Sequence, residues 1–270
     1  MAQYDLFQTK SPGSDIDIDQ YMERIDCMRE YRPSLRFLKK LLRQHQLHIP
    51  FENLDIHIGN QIILEVNRVF DKIIGERRGG FCYELNGLFY HLLLELGFEA
   101  KLISARVFSE DGTLGQEFDH MAIIVFLDEQ QWLVDVGFGR SFMSPIEFVM
   151  DKIQMIQNEY FKIVELPDHS YKLQSSYDSF SFTDEYTFTK KPRQFVEFIG
   201  MCQYHQTSPK SHFTRKKVIS QTTKEGRLTL SDDKFIVNKM GKKEEFPVLN
   251  NDQFLVLLKE HFGITLRRKK

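Results

Sequence analysis

The sequence has few cysteines: Cys27, Cys82 and Cys202 are the three in 270 residues. An odd number of widely spaced cysteines argues against a disulfide framework and is typical of a reducing compartment. Residues 1–19 lack the apolar run of ~7–15 residues that a signal peptide contains. No stretch reaches the ~18–20 apolar residues of a membrane span. We therefore expect a cytoplasmic protein that has no membrane partner.

Neither sign of charge is in excess, because 36 basic residues face 38 acidic ones and the net charge is −2. Such a balance does not favour binding to nucleic acid, and the terminal basic run 267–270 is typical of a solvated tail. The nine histidines are scattered, and neither CxxC nor HExxH occurs, so we expect no metal. With 41% hydrophobic residues the chain can bury a core. The expected partner is a small molecule.

The first hundred residues have the spacing of helices. Apolar residues recur at helical intervals from Tyr21 to Met28 and from Leu35 to Leu42, where Ser34 is a plausible N-cap. A longer helix is predicted from Cys82 to Leu96, and Gly97 is its stop signal.

Strand-like runs rich in Val, Ile, Phe, Tyr and Thr follow residue 97. They predict an antiparallel sheet or small barrel with strands at 101–108, 121–127, 131–136, 160–166 and 182–188. A helix at 194–201, a basic segment at 203–217, strands at 218–222, 227–230 and 234–238, and a helix at 251–262 are predicted after them. Composition shifts near residues 97 and 200 divide the chain into 1–97, 98–200 and 201–270.

The segment 78–86, Arg-Gly-Gly-Phe-Cys-Tyr-Glu-Leu-Asn, carries the first chemical signal. Its two glycines allow a tight backbone turn, and the next residues begin a helix, so Cys82 is expected at a helix N-terminus. Unpaired N–H groups and the helix dipole at that position favour a thiolate, the nucleophilic form of cysteine. Taken alone, a cysteine before an apolar helix is also typical of a small buried core residue.

His120 and Asp135 carry the second signal. His120 begins one apolar strand, and Asp135 interrupts the next, where a buried carboxylate needs a partner. A two-residue turn at Glu129 and Gln130 would pair position 124 with position 135. His120 and Asp135 would then share a face but lie four residues, about 13 Å, out of step. Contact between them would need a bulge or another register.

An ordered set of motifs makes the sequence resemble the arylamine N-acetyltransferases. They are the segment 78–86, the Asp-His pair at 119–120, Asp-Val-Gly-Phe-Gly at 135–139, and the flanking segments 50–54 (Pro-Phe-Glu-Asn-Leu) and 204–209 (Tyr-His-Gln-Thr-Ser-Pro). The resemblance covers roughly residues 20–265. It implies an α+β fold with an N-terminal helical bundle (1–97), a central antiparallel β-barrel (98–200) and a C-terminal α/β lid (201–270), around a papain- or transglutaminase-like Cys-His-Asp core.

The resemblance also implies a site and a reaction. Cys82 would be the nucleophile, His120 the base and Asp135 the residue that orients the histidine. Phe51 and Phe138 would line an apolar slot for an aromatic amine or hydrazine. Acetyl-CoA would be the donor, bound by Ser208, Thr214 and Lys216 within a stretch that also holds Lys210 and Arg215. The acetyl group would pass through Cys82 with ping-pong kinetics. An oxyanion hole would use the Cys82 backbone N–H and a second donor that the sequence does not identify.

Other roles are implied for neighbouring residues. Glu52 and Arg78 would belong to an internal ion-pair network, and Asn86 would support the triad. Cys27 and Cys202 would be structural.

Two alternatives remain at this stage. The same triad could serve a transglutaminase-like acyl transferase or a cysteine hydrolase, or the fold could be kept by a binding module without activity. The presence of Cys82, His120 and Asp135 together disfavours the binding module. A homodimer is left open by the sequence.

Overall fold

The computed structural model describes residues 16–109, 111–139 and 142–267. Its first part is mostly helical. The elements in chain order are α1 (Ile18–Arg24), α2 (Leu35–His48), β1 (Phe51–Glu52), α3 (Leu54–Ile58), α4 (Val66–Phe70), a π-helical turn (Asp71–Gly75) and α5 (Cys82–Glu95). The Ser34 side chain caps α2 by accepting the Phe37 N–H at 3.1 Å, as predicted.

The first helix is shorter than the spacing predicts. Tyr21 and Ile25 are buried, but α1 ends at Arg24 and Asp26 adopts a left-handed conformation with φ of 51°. Met28 lies beyond this turn and is 79% exposed. The prediction that Met28 belongs to the helix is therefore wrong, because the chain reverses before the next helical turn can form.

An eight-stranded antiparallel sheet follows the helices and curves into a nearly closed barrel. Its strands are β2 (Glu99–Val107), β3 (His120–Leu127), β4 (Gln130–Val134), β5 (Ile146–Glu147), β6 (Gln154–Ile156), β7 (Glu159–Glu165), β8 (Tyr171–Ser176) and β9 (Thr183–Phe188). Their order across the sheet is β5-β4-β3-β2-β9-β8-β7-β6. These findings confirm the predicted α+β class and the antiparallel barrel.

Strand β3 is buried on both faces, and this explains how the helical part joins the barrel. Met121, Ile123 and Val125 belong to the core shared with α5, whereas Ala122 and Ile124 belong to the core inside the barrel. Successive side chains of a strand point to opposite faces, so an unbroken apolar run serves both cores.

The last part combines helices with a second sheet. A 3-10 turn (Phe195–Phe198) leads into α6 (Ile199–Thr207), a second 3-10 turn (His212–Thr214), β10 (Val218–Thr222), β11 (Gly226–Ser231), β12 (Lys234–Lys239), β13 (Lys242–Pro247) and α7 (Asn251–Phe262). The sheet order is β1-β10-β11-β12-β13, so β1 from the helical part forms one edge. Phe254 and Leu258 of α7 pack on this sheet.

Some boundaries differ from the predictions. The helix predicted to end at residue 201 continues to Thr207, so the basic segment 203–217 begins as a helix. Strands β5, β6, β8 and β13 were not predicted, because two are very short and the other two are rich in polar residues. The domain boundaries at 97 and 200 stay predictions. In the described ranges, none of the helices has the length and apolar character needed to cross a membrane.

Candidate active site

Cys82 is the first residue of α5, as predicted from the two glycines before it. Glu84 reaches back and accepts the Phe81 N–H through Oε2 at 3.1 Å, which closes the first turn. Gly79 lies so close to β1 that a Cβ atom would stand 2.0 Å from the Pro50 carbonyl oxygen. The close approach therefore requires glycine at this position and places the N-terminus of α5 against the β1 segment.

A buried charge cluster anchors this turn. Lys72 Nζ lies 2.8 Å from both Glu84 Oε1 and Asp55 Oδ2, and Arg78 Nη2 lies 2.7 Å from Glu52 Oε1. Burial raises the pKa of Glu84 to about 7, against the lowering effect of Lys72. The ion pair between Arg78 and Glu52 is thus present, and the cluster connects α5 to the segments before it.

His120 and Asp135 are in contact, and the observed register explains why. Ile124 pairs with Leu133 instead of with position 135, because the turn lies at Asp128 and Glu129, which have φ of 50° and 63°. In this register, Asp135 lies about 7 Å along the strand from the position opposite His120, instead of about 13 Å. Strand β4 ends at Val134, so the chain is free to bend. His120 Nε2 then lies 2.6 Å from Asp135 Oδ2 without a bulge.

Three further groups hold the Asp135 carboxylate. Asn86 Nδ2 donates to Oδ1 at 2.8 Å, the Gly137 N–H donates to Oδ1 at 2.9 Å, and the Tyr186 hydroxyl donates to Oδ2 at 3.3 Å. All four contacts to Asp135, including that of His120, are buried. Hydrogen bonds to a carboxylate are among the strong ones, so these contacts fix the Asp135 side chain in place against His120.

The Cys82 thiol lies in a strongly desolvated environment. Burial raises its pKa well above the ordinary value, and the carboxylates of Asp119 and Asp135 raise it further. The backbone N–H of Met121 acts in the opposite direction. A helix N-terminus alone does not offset this burial. A thiolate at Cys82 therefore needs a nearby base that takes the proton and becomes a cation beside the sulfur.

One cavity of about 410 Å³ brings together Cys82, His120 and both predicted aromatic residues, Phe51 and Phe138. The rest of its wall is mostly apolar and comes from Val107, Phe108, Ser109, Thr113, Leu114, Gly115, Asp119, Gly137, Gly139, His212, Phe213 and Val218. The Phe138 ring lies 5.3 Å from the His120 ring. An apolar cavity lined by a cysteine and a histidine has room for an aromatic ligand.

The predicted CoA-binding residues lie beside this cavity, not on its described wall. Thr214 Oγ1 donates to the Ser208 carbonyl at 2.8 Å, Ser208 Oγ accepts the Lys210 N–H at 3.2 Å, and Lys216 forms an ion pair with Asp233. Arg215 Nη2 donates to the Lys210 carbonyl at 3.0 Å.

Sequence reasoning missed several groups at the site. His212 and Phe213 reach the cavity from the segment that contains the predicted CoA residues, and Tyr186 reaches Asp135 from β9. An aromatic pair inside a basic segment was the available signal for the first two. Tyr186 gives no local signal, because its role depends on the closure of the barrel.

The other two cysteines do not line the described wall of the cavity. Cys27 and Cys202 are buried free thiols. Across the described ranges, no group of three or more His, Cys, Asp or Glu side chains is arranged to hold a metal ion.

Comparisons with known proteins agree on one family. Residues 34–270 match a family model described as N-acetyltransferase. Human arylamine N-acetyltransferase 1 is 31% identical, with 94% of this chain and 96% of that protein covered. A solved arylamine N-acetyltransferase of Mycobacterium smegmatis superposes with a TM-score of 0.86 at 31% identity, and the match covers 93% of each chain.

A solved arylamine N-acetyltransferase of Bacillus cereus has a TM-score of 0.86 at 26% identity, over 93% of this chain and 100% of that one. That protein is described as having a unique Cys-His-Glu catalytic triad. In this chain the carboxylate within hydrogen-bond distance of His120 belongs to an aspartate, Asp135.

Proposed function

The chain belongs to the arylamine N-acetyltransferase family, and from this membership we propose that it transfers an acetyl group from acetyl-CoA to an aromatic amine or hydrazine through Cys82. The observation that carries the proposal is the arrangement of three side chains. Cys82 begins α5 and lines the cavity, His120 lines the same cavity, and His120 Nε2 lies 2.6 Å from Asp135 Oδ2.

The proton of Cys82 passes to His120 in this proposal. The surroundings raise the pKa of the buried thiol, so loss of the proton to solvent is unfavourable. Transfer to an imidazole keeps the pair neutral overall, and Asp135 stabilises the imidazolium that results. His120 Nε2 faces Asp135, which leaves Nδ1 as the nitrogen for exchange of the proton with sulfur.

The first half of the reaction forms the acetyl-enzyme. The Cys82 thiolate attacks the acetyl carbonyl carbon, the bond to the CoA sulfur breaks, and the proton on His120 passes to the leaving thiolate. The backbone N–H of Cys82 lies in the first turn of α5, where N–H groups have no helical partner. It is our candidate for one donor to the oxyanion.

The second half regenerates the enzyme. The amine nitrogen attacks the thioester carbon on Cys82, the C–S bond breaks, and neutral His120 takes one proton from nitrogen. Phe51 and Phe138 supply apolar surface for the aromatic ring of the acceptor. Ser208, Thr214 and Lys216, which lie next to the cavity, are our candidates for contacts to CoA.

The alternative is an acyl transferase or hydrolase that uses the same three residues with a peptide or glutamine donor. Steady-state kinetics test the choice. Initial rates at several fixed amine concentrations should give parallel double-reciprocal lines against acetyl-CoA, as two separate half-reactions require. Intersecting lines would contradict the ping-pong scheme, and turnover of peptide amides without acetyl-CoA would favour the alternative.

Three buried free thiols, including the proposed nucleophile, suit a reducing compartment. We therefore propose a cytoplasmic location, where Cys82 stays reduced. The homodimer stays a prediction.

A further inference from the structure

A second carboxylate, Asp119, lies at the cavity and has no task in the scheme above. It precedes His120 in the chain and lines the same cavity as Cys82. Its Oδ1 accepts from His205 Nε2 at 3.1 Å, and its Oδ2 accepts the Val107 N–H at 3.4 Å. The side chain retains 20% exposure. Within the described part of the wall it is the one Asp, Glu, Lys or Arg side chain.

A chain of hydrogen bonds holds the Asp119 side chain at the cavity. Ser211 Oγ accepts the Phe213 N–H at 3.2 Å and lies 3.0 Å from His205 Nδ1. His205 Nε2 lies 3.1 Å from Asp119 Oδ1, and the Val107 N–H donates to Asp119 Oδ2. Both oxygens of Asp119 are therefore held in place by groups from α6 and β2.

The position of this charge opposes the first half of the proposed reaction. A negative charge beside Cys82 disfavours the thiolate, and Asp119 has a larger effect on the sulfur than Asp135. An amide at position 119 would accept the same bond from His205 without that penalty, and would give up only the longer contact of 3.4 Å with the Val107 N–H. A carboxylate at this position therefore suits the second half-reaction, because positive charge develops on the attacking amine nitrogen in that step.

We propose that Asp119 positions the acceptor amine, which rests on the acetyl transfer proposed above. A primary amine has two N–H bonds, and its nitrogen becomes positive as it attacks the thioester carbon. Asp119 accepts the N–H that remains in the amide product, while His120 removes the other proton. A carboxylate has about four lone-pair sites, and the described residues use two of those on Asp119, so a further bond is available.

The step is balanced without a further reactant. The N–C bond forms, the C–S bond to Cys82 breaks, the electron pair returns to sulfur, and one proton moves from nitrogen to His120. Asp119 gains no proton overall. Its contribution is a charge-assisted hydrogen bond that strengthens as nitrogen becomes cationic.

Single-turnover kinetics of Asp119→Asn test the proposal. The acetyl-enzyme is formed with acetyl-CoA, the CoA is removed, and loss of the acetyl group is followed by intact mass after 4-anisidine is added. We expect aminolysis to slow about 10- to 100-fold. Formation of the acetyl-enzyme should be as fast as in the wild type or faster. Asp168→Asn, the same change at an exposed turn, is the matched control and should alter neither rate.

The two half-reactions separate the possible outcomes. Unchanged aminolysis in Asp119→Asn overturns the proposal, and so does an equal loss in both half-reactions together with a lower Tm, because a purely structural tie to His205 would act in that way. Asp119→Ser, which keeps a small polar side chain, provides the same comparison if the Asn variant does not fold. If the wild type forms no acetyl-enzyme with acetyl-CoA, the proposed function itself fails.

Discussion

Replacement of Asn86 by alanine would remove the side chain that joins α5 to strand β3 and to the segment that follows β4. Asn86 Nδ2 donates to the Met121 carbonyl at 2.6 Å and to Asp135 Oδ1 at 2.8 Å, and its Oδ1 accepts the Val136 N–H at 2.9 Å. All these groups are buried in the folded chain. The substitution would leave a charged acceptor with one partner fewer and a buried N–H without its side-chain acceptor.

The expected cost follows from these contacts. Loss of a hydrogen bond to a charged group is worth about 1.5–3 kcal/mol, and an unsatisfied buried N–H costs about 1–3 kcal/mol. The free energy of unfolding of Asn86→Ala should therefore fall by about 2.5–6 kcal/mol, a large share of the about 5–15 kcal/mol that a typical domain has. Because Asp135 loses one of the hydrogen bonds that position it against His120, acetylation of the folded variant should slow by about 10- to 100-fold.

Urea unfolding and single-turnover acetylation check the two parts of this expectation. Asn60→Ala is the control, because Asn60 is also buried and donates to Asp55 Oδ1 at 3.2 Å, away from the cavity. It should lose stability while acetylating at close to the wild-type rate. A loss of stability under about 1 kcal/mol for Asn86→Ala, with normal acetylation, would refute the reasoning.

Three further expectations concern the site and the buried charge cluster at the start of α5. Asp135→Asn should reduce kcat by about 10³- to 10⁴-fold, because His120 loses both its orientation and the stabilisation of its charge, and kinetics like those of the wild type would remove Asp135 from the mechanism. Phe138→Ala should raise KM for aromatic amines by about tenfold with a smaller effect on acetylation by acetyl-CoA, and an equal effect on both would assign the ring to the core. Burial raises the pKa of Glu84 to about 7, so its protonated form stabilises the fold below pH 4.5 and this contribution is lost as pH rises towards 7. The destabilisation caused by Glu84→Gln, measured by urea unfolding, should therefore shrink between pH 5 and pH 8, and a constant difference would contradict the shift.

The parts of the fold that local patterns predicted are those with strong periodicity or clear stop signals. Helix α2 follows from its apolar spacing and the Ser34 cap, and α5 follows from two glycines before Cys82 and Gly97 after Glu95. The end of α1 was not predictable in this way, because Asp26 adopts a left-handed turn that its sequence context does not demand.

The hairpin between β3 and β4 shows the limit of pairing arguments. Its turn uses Asp128 and Glu129 in left-handed conformations, although neither is glycine, and a shift of one position in the turn changes every pair by two residues. Contact between His120 and Asp135 depended on that shift.

The candidate site could be predicted only where the chemistry is local. Cys82 has a local signal in the glycines, whereas Tyr186 and His205 approach from β9 and α6, which lie far away in the chain. Their contacts arise from closure of the barrel and from packing of the last part of the chain. No spacing rule within a single segment contains that information.

Intact-mass spectrometry after brief exposure to acetyl-CoA tests the central claim most directly. We expect the protein to gain one acetyl group on Cys82 and to lose it when an aromatic amine or hydrazine is added, whereas Cys82→Ala should gain none. Absence of the adduct in a folded protein whose Cys82 still reacts with a small alkylating agent would contradict the account and favour another acyl donor.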